Sequence, residues 1–226
     1  MKRVITVLLA VLLALSLAAC GSGVETKKLA GTWTCTIDVT DRMNAAAEQA
    51  LGLSAADGTA QMPLQLVLTV TEDGAYTLRY DSDAARTALD AYAAALRPAA
   101  VESVYAAAEE QGLSREEYDA AMEKAGITMD DMVAAIFAGV DEEELLSLLT
   151  GRSAALTGYC RAEGGQLYLA DTAAELAETA DCLSYTLSDG TMTWTDAQGE
   201  LSSQLTEEEQ ELLRVPLTWT KQEESK

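Results

Sequence analysis

The chain has 226 residues, with 15 basic and 37 acidic side chains, no histidine and a formal net charge of −22. So acidic a surface repels nucleic acid and anionic headgroups, and the lack of histidine removes Ser-His-Asp and Cys-His nucleophile systems and most zinc sites. About 200 residues of body are enough for one well-filled domain, or for one domain carrying a large insertion.

Residues 1–20 begin with Lys2 and Arg3, run apolar from Val4 to Leu17, and end Leu17-Ala18-Ala19-Cys20. The apolar run is about 14 residues, short of the ~20 that a spanning helix needs. A basic start, a short apolar stretch and small residues before the cut mark an export signal that is removed, here residues 1–19. Leu-Ala-Ala-Cys resembles the lipobox of bacterial lipoproteins, in which the cysteine is diacylated and opens the mature chain. That resemblance implies palmitate-type chains on Cys20, an address on the extracytoplasmic face of the cell membrane, and the membrane itself as a partner through the anchor. The alternative is an ordinary cleaved signal with an incidental Cys20. Each buried acyl CH₂ contributes ~0.8 kcal/mol, so two chains anchor firmly. Loss of Lys2 and Arg3 leaves 13 basic against 37 acidic residues, a net −24. Residues 20–28 have the composition of a flexible tether, which places the folded body at 29–222 and a charged tail at 223–226.

The first strand is expected over Gly31–Asp38, because Trp33, Cys35 and Ile37 alternate with threonines at the strand period of two. A short helix follows from a Thr40 or Asp41 cap to Gly52. Leu64, Leu66, Leu68 and Val70 share one face of the next strand. Glu72-Asp73-Gly74 then turns the chain into a third strand carrying Tyr76, Leu78 and Tyr80.

From Ser82 to Thr150 the period becomes helical. Leu89, Tyr92, Ala93 and Leu96 fit one face of a helix that Pro98 ends or kinks, and Val101, Val104, Tyr105 and Ala108 fit a second helix closed by Gly112. Ser114-x-x-Glu117 and Thr128-x-x-Asp131 have capping-box spacing, as does Asp141-x-x-Glu144 in weaker form. The reading is a helical insertion at 82–150, made of four or five short helices that are Ala-rich and expected to cap one end of the barrel.

Strands resume at Leu156–Arg161, turn at Glu163-Gly164-Gly165 and return through Gln166–Leu169. A polar helical link over Thr172–Thr179 leads to Cys182–Leu187. Asp189-Gly190, read as the same turn device as Asp73-Gly74, leads to Thr191–Thr195. An acidic helix or loop over Thr206–Arg214 precedes the closing strand Val215–Lys221. The total is eight strands, so the fold class is α+β: an eight-stranded antiparallel up-and-down β-barrel with a helical insertion between strands three and four.

Gly31-x-Trp33 at the start of strand one, with Lys221 ending strand eight, resembles the calycin pattern of lipocalins and fatty-acid-binding proteins. The resemblance implies that Trp33 closes the barrel base and that Lys221 packs across its ring as a cation–π pair. Taken whole, the chain resembles lipocalin-like lipoproteins of Gram-positive bacteria over roughly 29–81 and 153–222. It departs from typical lipocalins in the helical insertion.

Trp33, Tyr76, Tyr80, Tyr159, Tyr185, Met192 and Trp194 are the candidate lining of the barrel interior, either around a small hydrophobic ligand or filling it outright. With Cys20 apart, three cysteines remain, and a Cys160–Cys182 bridge stands beside three buried free thiols as the alternatives. There is no Gly-rich phosphate loop, no C-x-x-C and no EF-hand spacing, so no catalytic residue, metal site or cofactor is expected. Two functions fit: a tethered carrier or sensor of a small apolar molecule, or a structural or interaction module of the cell envelope whose partner is another envelope protein.

Overall fold

A computed structural model of the protein describes residues 25–54, 60–138, 155–178, 182–198 and 214–223. Eight strands succeed one another around a closed antiparallel barrel: β1 (Gly31–Asp38), β2 (Pro63–Val70), β3 (Ala75–Tyr80), β4 (Leu156–Glu163), β5 (Gln166–Ala170), β6 (Cys182–Ser188), β7 (Thr191–Gln198) and β8 (Leu217–Lys221). β8 returns to β1 with Trp33 opposite Lys221 and Thr34 opposite Thr220, so no edge is left for other chains to pair with. β3 and β4 pair directly, Leu78 opposite Leu156 and Tyr76 opposite Gly158. The sheet therefore closes across the helical insertion.

Alternation decides which side chains point inward. Cross-strand partners share a face, and the pairs Leu68–Leu78, Leu78–Leu156, Cys160–Leu169, Leu167–Leu183, Tyr185–Trp194 and Met192–Trp219 pass one apolar face from strand to strand. A bulge between β6 and β7 interrupts the ladder. Ser184 pairs with Asp196 but Tyr185 pairs with Trp194, leaving Thr195 as the extra residue, whose hydroxyl donates to the Ser184 carbonyl at 3.3 Å.

The connections sort by length between the two rims. At one rim lie the tight turns at 71–74, Gly164-Gly165 and Asp189-Gly190, together with the start of β1 and the end of β8; the long connections depart from the strand ends at the other, after β1, β3, β5 and β7. Asp189 and Gly190 have φ of 47° and 75°, and Gly164 and Gly165 have 60° and 78°, the two-residue hairpin in which both central residues are left-handed. The 72–74 loop differs. Only Gly74 is left-handed, at φ 88°, and the Gly74 N–H donates to the Thr71 carbonyl while the Thr71 N–H donates to the Ala75 carbonyl. That is a three-residue loop, so Asp73-Gly74 and Asp189-Gly190 are distinct devices that share a dipeptide.

Residues 25–29 are helical, although composition places 25–28 in the tether. The Thr26 hydroxyl, buried, accepts from the Ala162 N–H at 3.0 Å, and the Glu25 carboxylate accepts from the Gly164 N–H at 2.8 Å. Leu29 is buried as well. Satisfying two strand-end donors is what polar tether residues do here.

The helices are α1 (Thr40–Leu51), α2 (Ser82–Glu110), α3 (Arg115–Ala125) and α4 (Met129–Phe137). Val39 holds the N-cap position of α1 without a side-chain cap. Thr40 lies inside the helix, its hydroxyl donating to the Asp38 carboxylate and accepting from the Met62 N–H; the expected Thr40 or Asp41 cap is thus replaced by a tie between β1 and the approach to β2. α2 is a single 29-residue helix containing Pro98, where two helices were expected. Proline removes one helical hydrogen bond and costs ~3 kcal/mol, but Ala85, Ala88, Tyr92, Leu96, Ala100, Val104 and Ala108 form one buried stripe through it. Burial along the whole stripe outweighs the break. Both capping boxes at Ser114 and Thr128 form, and the cap expected at Asp141 and the link at 206–213 lie outside the described residues.

By compactness the chain divides into two units, one of Met1–Thr36, Leu66–Tyr80 and Ala154–Lys226, the other of Ile37–Gln65 and Asp81–Ser153. In the second unit the Tyr92 hydroxyl donates to Asn44 Oδ1 at 2.7 Å, so the insertion draws on α1 for part of its packing. α3 buries no residue. It is held to α2 by the Arg115 guanidinium, bidentate on Glu102 at 2.7 and 3.1 Å, bonded to Glu109 and 4.7 Å above the Tyr105 ring; Arg97 and Asp130 tie α2 to α4. These pairs are exposed and screened by solvent, so they orient the helices more than they stabilise them.

Gly158 offers a direct test of the β3–β4 register. A Cβ there would lie 2.5 Å from the Ala170 carbonyl oxygen and 2.9 Å from the Tyr76 ring. Gly158→Ala should cost ~1 to 3 kcal/mol, the scale of overpacking in a filled interior, read as a lower midpoint in denaturant. An unchanged midpoint would mean that Tyr76 does not cross β4 at this position.

Candidate functional site

The inward face is richest at the short-turn rim. Trp33 is 1% exposed, and its indole N–H donates to the Leu29 carbonyl at 2.7 Å. Lys221 Nζ lies 5.3 Å from the centre of the Trp33 ring, within cation–π range. Gly31 makes room for that approach: a Cβ at Gly31 would come within 2.8 Å of Lys221 Cε, and its φ of 127° is open only to glycine. The Gly-x-Trp spacing therefore has a local cause. The first position lets the lysine stem pass, and two residues on, the same face presents the ring.

Next to this base, Trp194 and Trp219 stack at 4.7 Å between ring centres, tilted by 48°. Both are buried, and among the described residues neither indole N–H has a hydrogen-bond partner. An unpaired buried donor costs ~1–3 kcal/mol, which the aromatic burial of the pair offsets. Met192 and Trp219 have no exposed surface at all, so the interior is solidly filled at this level.

Of the lining residues read from the sequence, Trp33, Tyr76, Tyr185, Met192 and Trp194 are buried on the inward face, and Tyr80, paired with Leu66, is half-buried on it. Tyr159 is not. It pairs with Ala75 and Ala170, on the face opposite Gly158 and Cys160, because the inward positions of β4 belong to the small residues that make room for Tyr76. Trp219 belongs to the lining and was missed; its even spacing from Lys221 on β8 is the signal that finds it. Cys35 and Cys160 are further inward residues. Cys20 lies outside the described residues.

On β1, β3, β4 and β5 the inward side chains become more exposed toward the long-connection rim. Along β1, Trp33, Cys35 and Ile37 are 1%, 4% and 9% exposed. On β3 Tyr76 is buried while Leu78 and Tyr80 are half-buried; on β5 Leu167 is buried and Leu169 half-buried; on β4 Leu156, nearest that rim, is the most open. β2 and β6 run against the trend: Leu64 is fully buried, and on β6 Leu187, opposite Met192 beside the short turn, is 37% exposed while Leu183 is buried.

Cys35, Cys160 and Cys182 are free and buried, so the Cys160–Cys182 bridge is not formed. Burial pushes the Cys160 thiol up to about 12 and raises that of Cys35. Such thiols stay protonated and inert at neutral pH. Among the described residues no group of three His, Cys, Asp or Glu side chains is placed to hold a metal ion, and no helix is long and apolar enough to cross a membrane. No protein-family model, curated protein or solved structure matches this chain.

The base separates two energies that can be measured. Removing a buried tryptophan costs ~3 to 5 kcal/mol, whereas a cation–π contact on an exposed lysine contributes ~0.5 to 1 kcal/mol. Trp33→Ala should therefore lower the unfolding midpoint far more than Lys221→Ala. Equal, small effects would place Trp33 at the surface and remove the closed base.

Proposed function

We propose that the protein is a lipid-anchored protein of the outer face of the cell membrane whose barrel takes up a small apolar molecule from the long-connection rim. The observation that carries this reading is that on β3, β4 and β5 the inward side chains pass from buried at Tyr76, Cys160 and Leu167 to half-buried at Tyr80, Leu156 and Leu169. On these three strands the interior is filled near the short turns and looser beyond them, which leaves room there for a small guest. The residues that would meet the ligand are apolar and aromatic, and a net charge of −24 on the mature chain disfavours anionic partners. The anchor rests on Leu17-Ala18-Ala19-Cys20 behind a short apolar run. No catalytic role belongs to this reading.

A second reading has its own support. Leu64, Met192 and Trp219 have no exposed surface, which favours a filled barrel serving as a structural or protein-binding module of the envelope. The two readings separate on uptake. The carrier should bind a non-polar fluorescent dye at about one per chain, quench tryptophan emission as it does so, and release the dye to lipid extracted from membranes. Absence of uptake by the folded protein would leave the filled module. The anchor is checked apart from this: Cys20→Ser should move the protein from the membrane fraction to the soluble one, and an unchanged membrane fraction would remove the lipid reading.

A further inference from the structure

We infer that the barrel is held with its short-turn rim toward the bilayer and its long-connection rim pointing away, because the chain leaves the anchor and docks on that rim almost at once. This inference rests on acylation of Cys20, the reading proposed above.

The docking is specific. Glu25 accepts from the Gly164 N–H in the β4–β5 turn, Thr26 accepts from the Ala162 N–H at the end of β4, and the Leu29 carbonyl accepts from Trp33. Only Gly21, Ser22, Gly23 and Val24 separate Cys20 from Glu25. Five steps of extended chain reach at most ~18 Å. An eight-residue strand such as β1 is ~26 Å long, or ~20 Å along a barrel axis at the usual tilt of ~40°. The tether is thus too short to run the length of the barrel and present the opposite rim to the membrane.

Charge does not supply the orientation. At the short-turn rim the exposed Lys27, Lys28 and Lys221 are outnumbered by the exposed Glu72, Asp73, Glu163 and Asp189, so there is no net pull on anionic headgroups. The orientation comes from covalent length plus docking, and salt should leave it unchanged. Its consequence is functional: a ligand-admitting rim directed away from the membrane exchanges with the surrounding medium or with another protein, and not directly with the bilayer beneath.

The test uses the acylated full-length protein in vesicles whose headgroups carry a short-range fluorescence quencher. A fluorophore is attached either at Glu72→Cys, on the short-turn rim, or at Ala173→Cys, on the other; the native thiols are buried. Emission from position 72 should be quenched several-fold more than from 173, equally at low and high salt. Equal quenching, or stronger quenching at 173, would overturn the inference. A 12-residue Gly-Ser insert between Gly23 and Val24 leaves the fold untouched and should erase the difference; if the difference survives the insert, adhesion and not the tether sets the orientation, and the inference fails. Mass spectrometry before reconstitution separates the two levels: a chain without acyl groups on Cys20 removes the anchor reading itself, whereas an acylated chain with no rim preference removes only the orientation.

Discussion

The structure depends on the seam where β8 meets β1. An eight-stranded sheet becomes a barrel only if its last strand finds its first, and here the two are joined at the point where Trp33 and Lys221 face each other. Three independent groups converge on that ring: the Leu29 carbonyl takes its N–H, the Lys221 ammonium lies over its face, and Gly31 clears the path for the lysine stem. Burial of the indole is the dominant energy. The hydrogen bond and the cation fix its orientation, and so the register of the closing pair.

Once the seam is set, the division of labour between the rims follows. All tight turns lie at the Trp33 end, where short loops bring neighbouring strands together and large side chains fill the interior. The long connections depart from the strand ends at the other rim, and the one after β3 holds α2, α3 and α4. Because Leu78 pairs with Leu156 across the insertion, the ladder does not need the helices to be continuous. On β3, β4 and β5 the inward face loosens in the same direction as the loops lengthen, and the proposed ligand site takes its place from those three strands. The polar residues before β1 complete the base: Thr26 and Glu25 occupy N–H groups that the strand ends leave open, and an unpaired donor at the buried Thr26 site would cost ~1–3 kcal/mol.

Most strands were legible because a one-sided sheet writes its period into the chain. Trp33, Cys35 and Ile37 against three threonines admit no other register, and both S/T-x-x-E/D boxes open helices as their geometry requires. What escaped was decided by tertiary context. Pro98 reads as a stop, but a buried stripe on both sides of it carries α2 through. Tyr159 reads as lining because it is aromatic, yet its face is settled by Gly158 and Cys160, small residues whose inward positions are explained only by Tyr76 across the sheet. Thr26 and Glu25 read as solvent-loving tether, and only the positions of the Ala162 and Gly164 N–H groups show why they are bound. Asp73-Gly74 and Asp189-Gly190 look alike as dipeptides, and their loop lengths, three and two, are set by strand pairing.

The seam can be tested at one proton. The Trp33 indole N–H, assigned by comparison with a Trp33→Phe variant, should exchange with solvent deuterium only when the whole barrel unfolds, with the same free energy as the slowest amides of β1 and β8. Exchange at the rate of an exposed indole, while those amides stay protected, would contradict a base closed on Trp33.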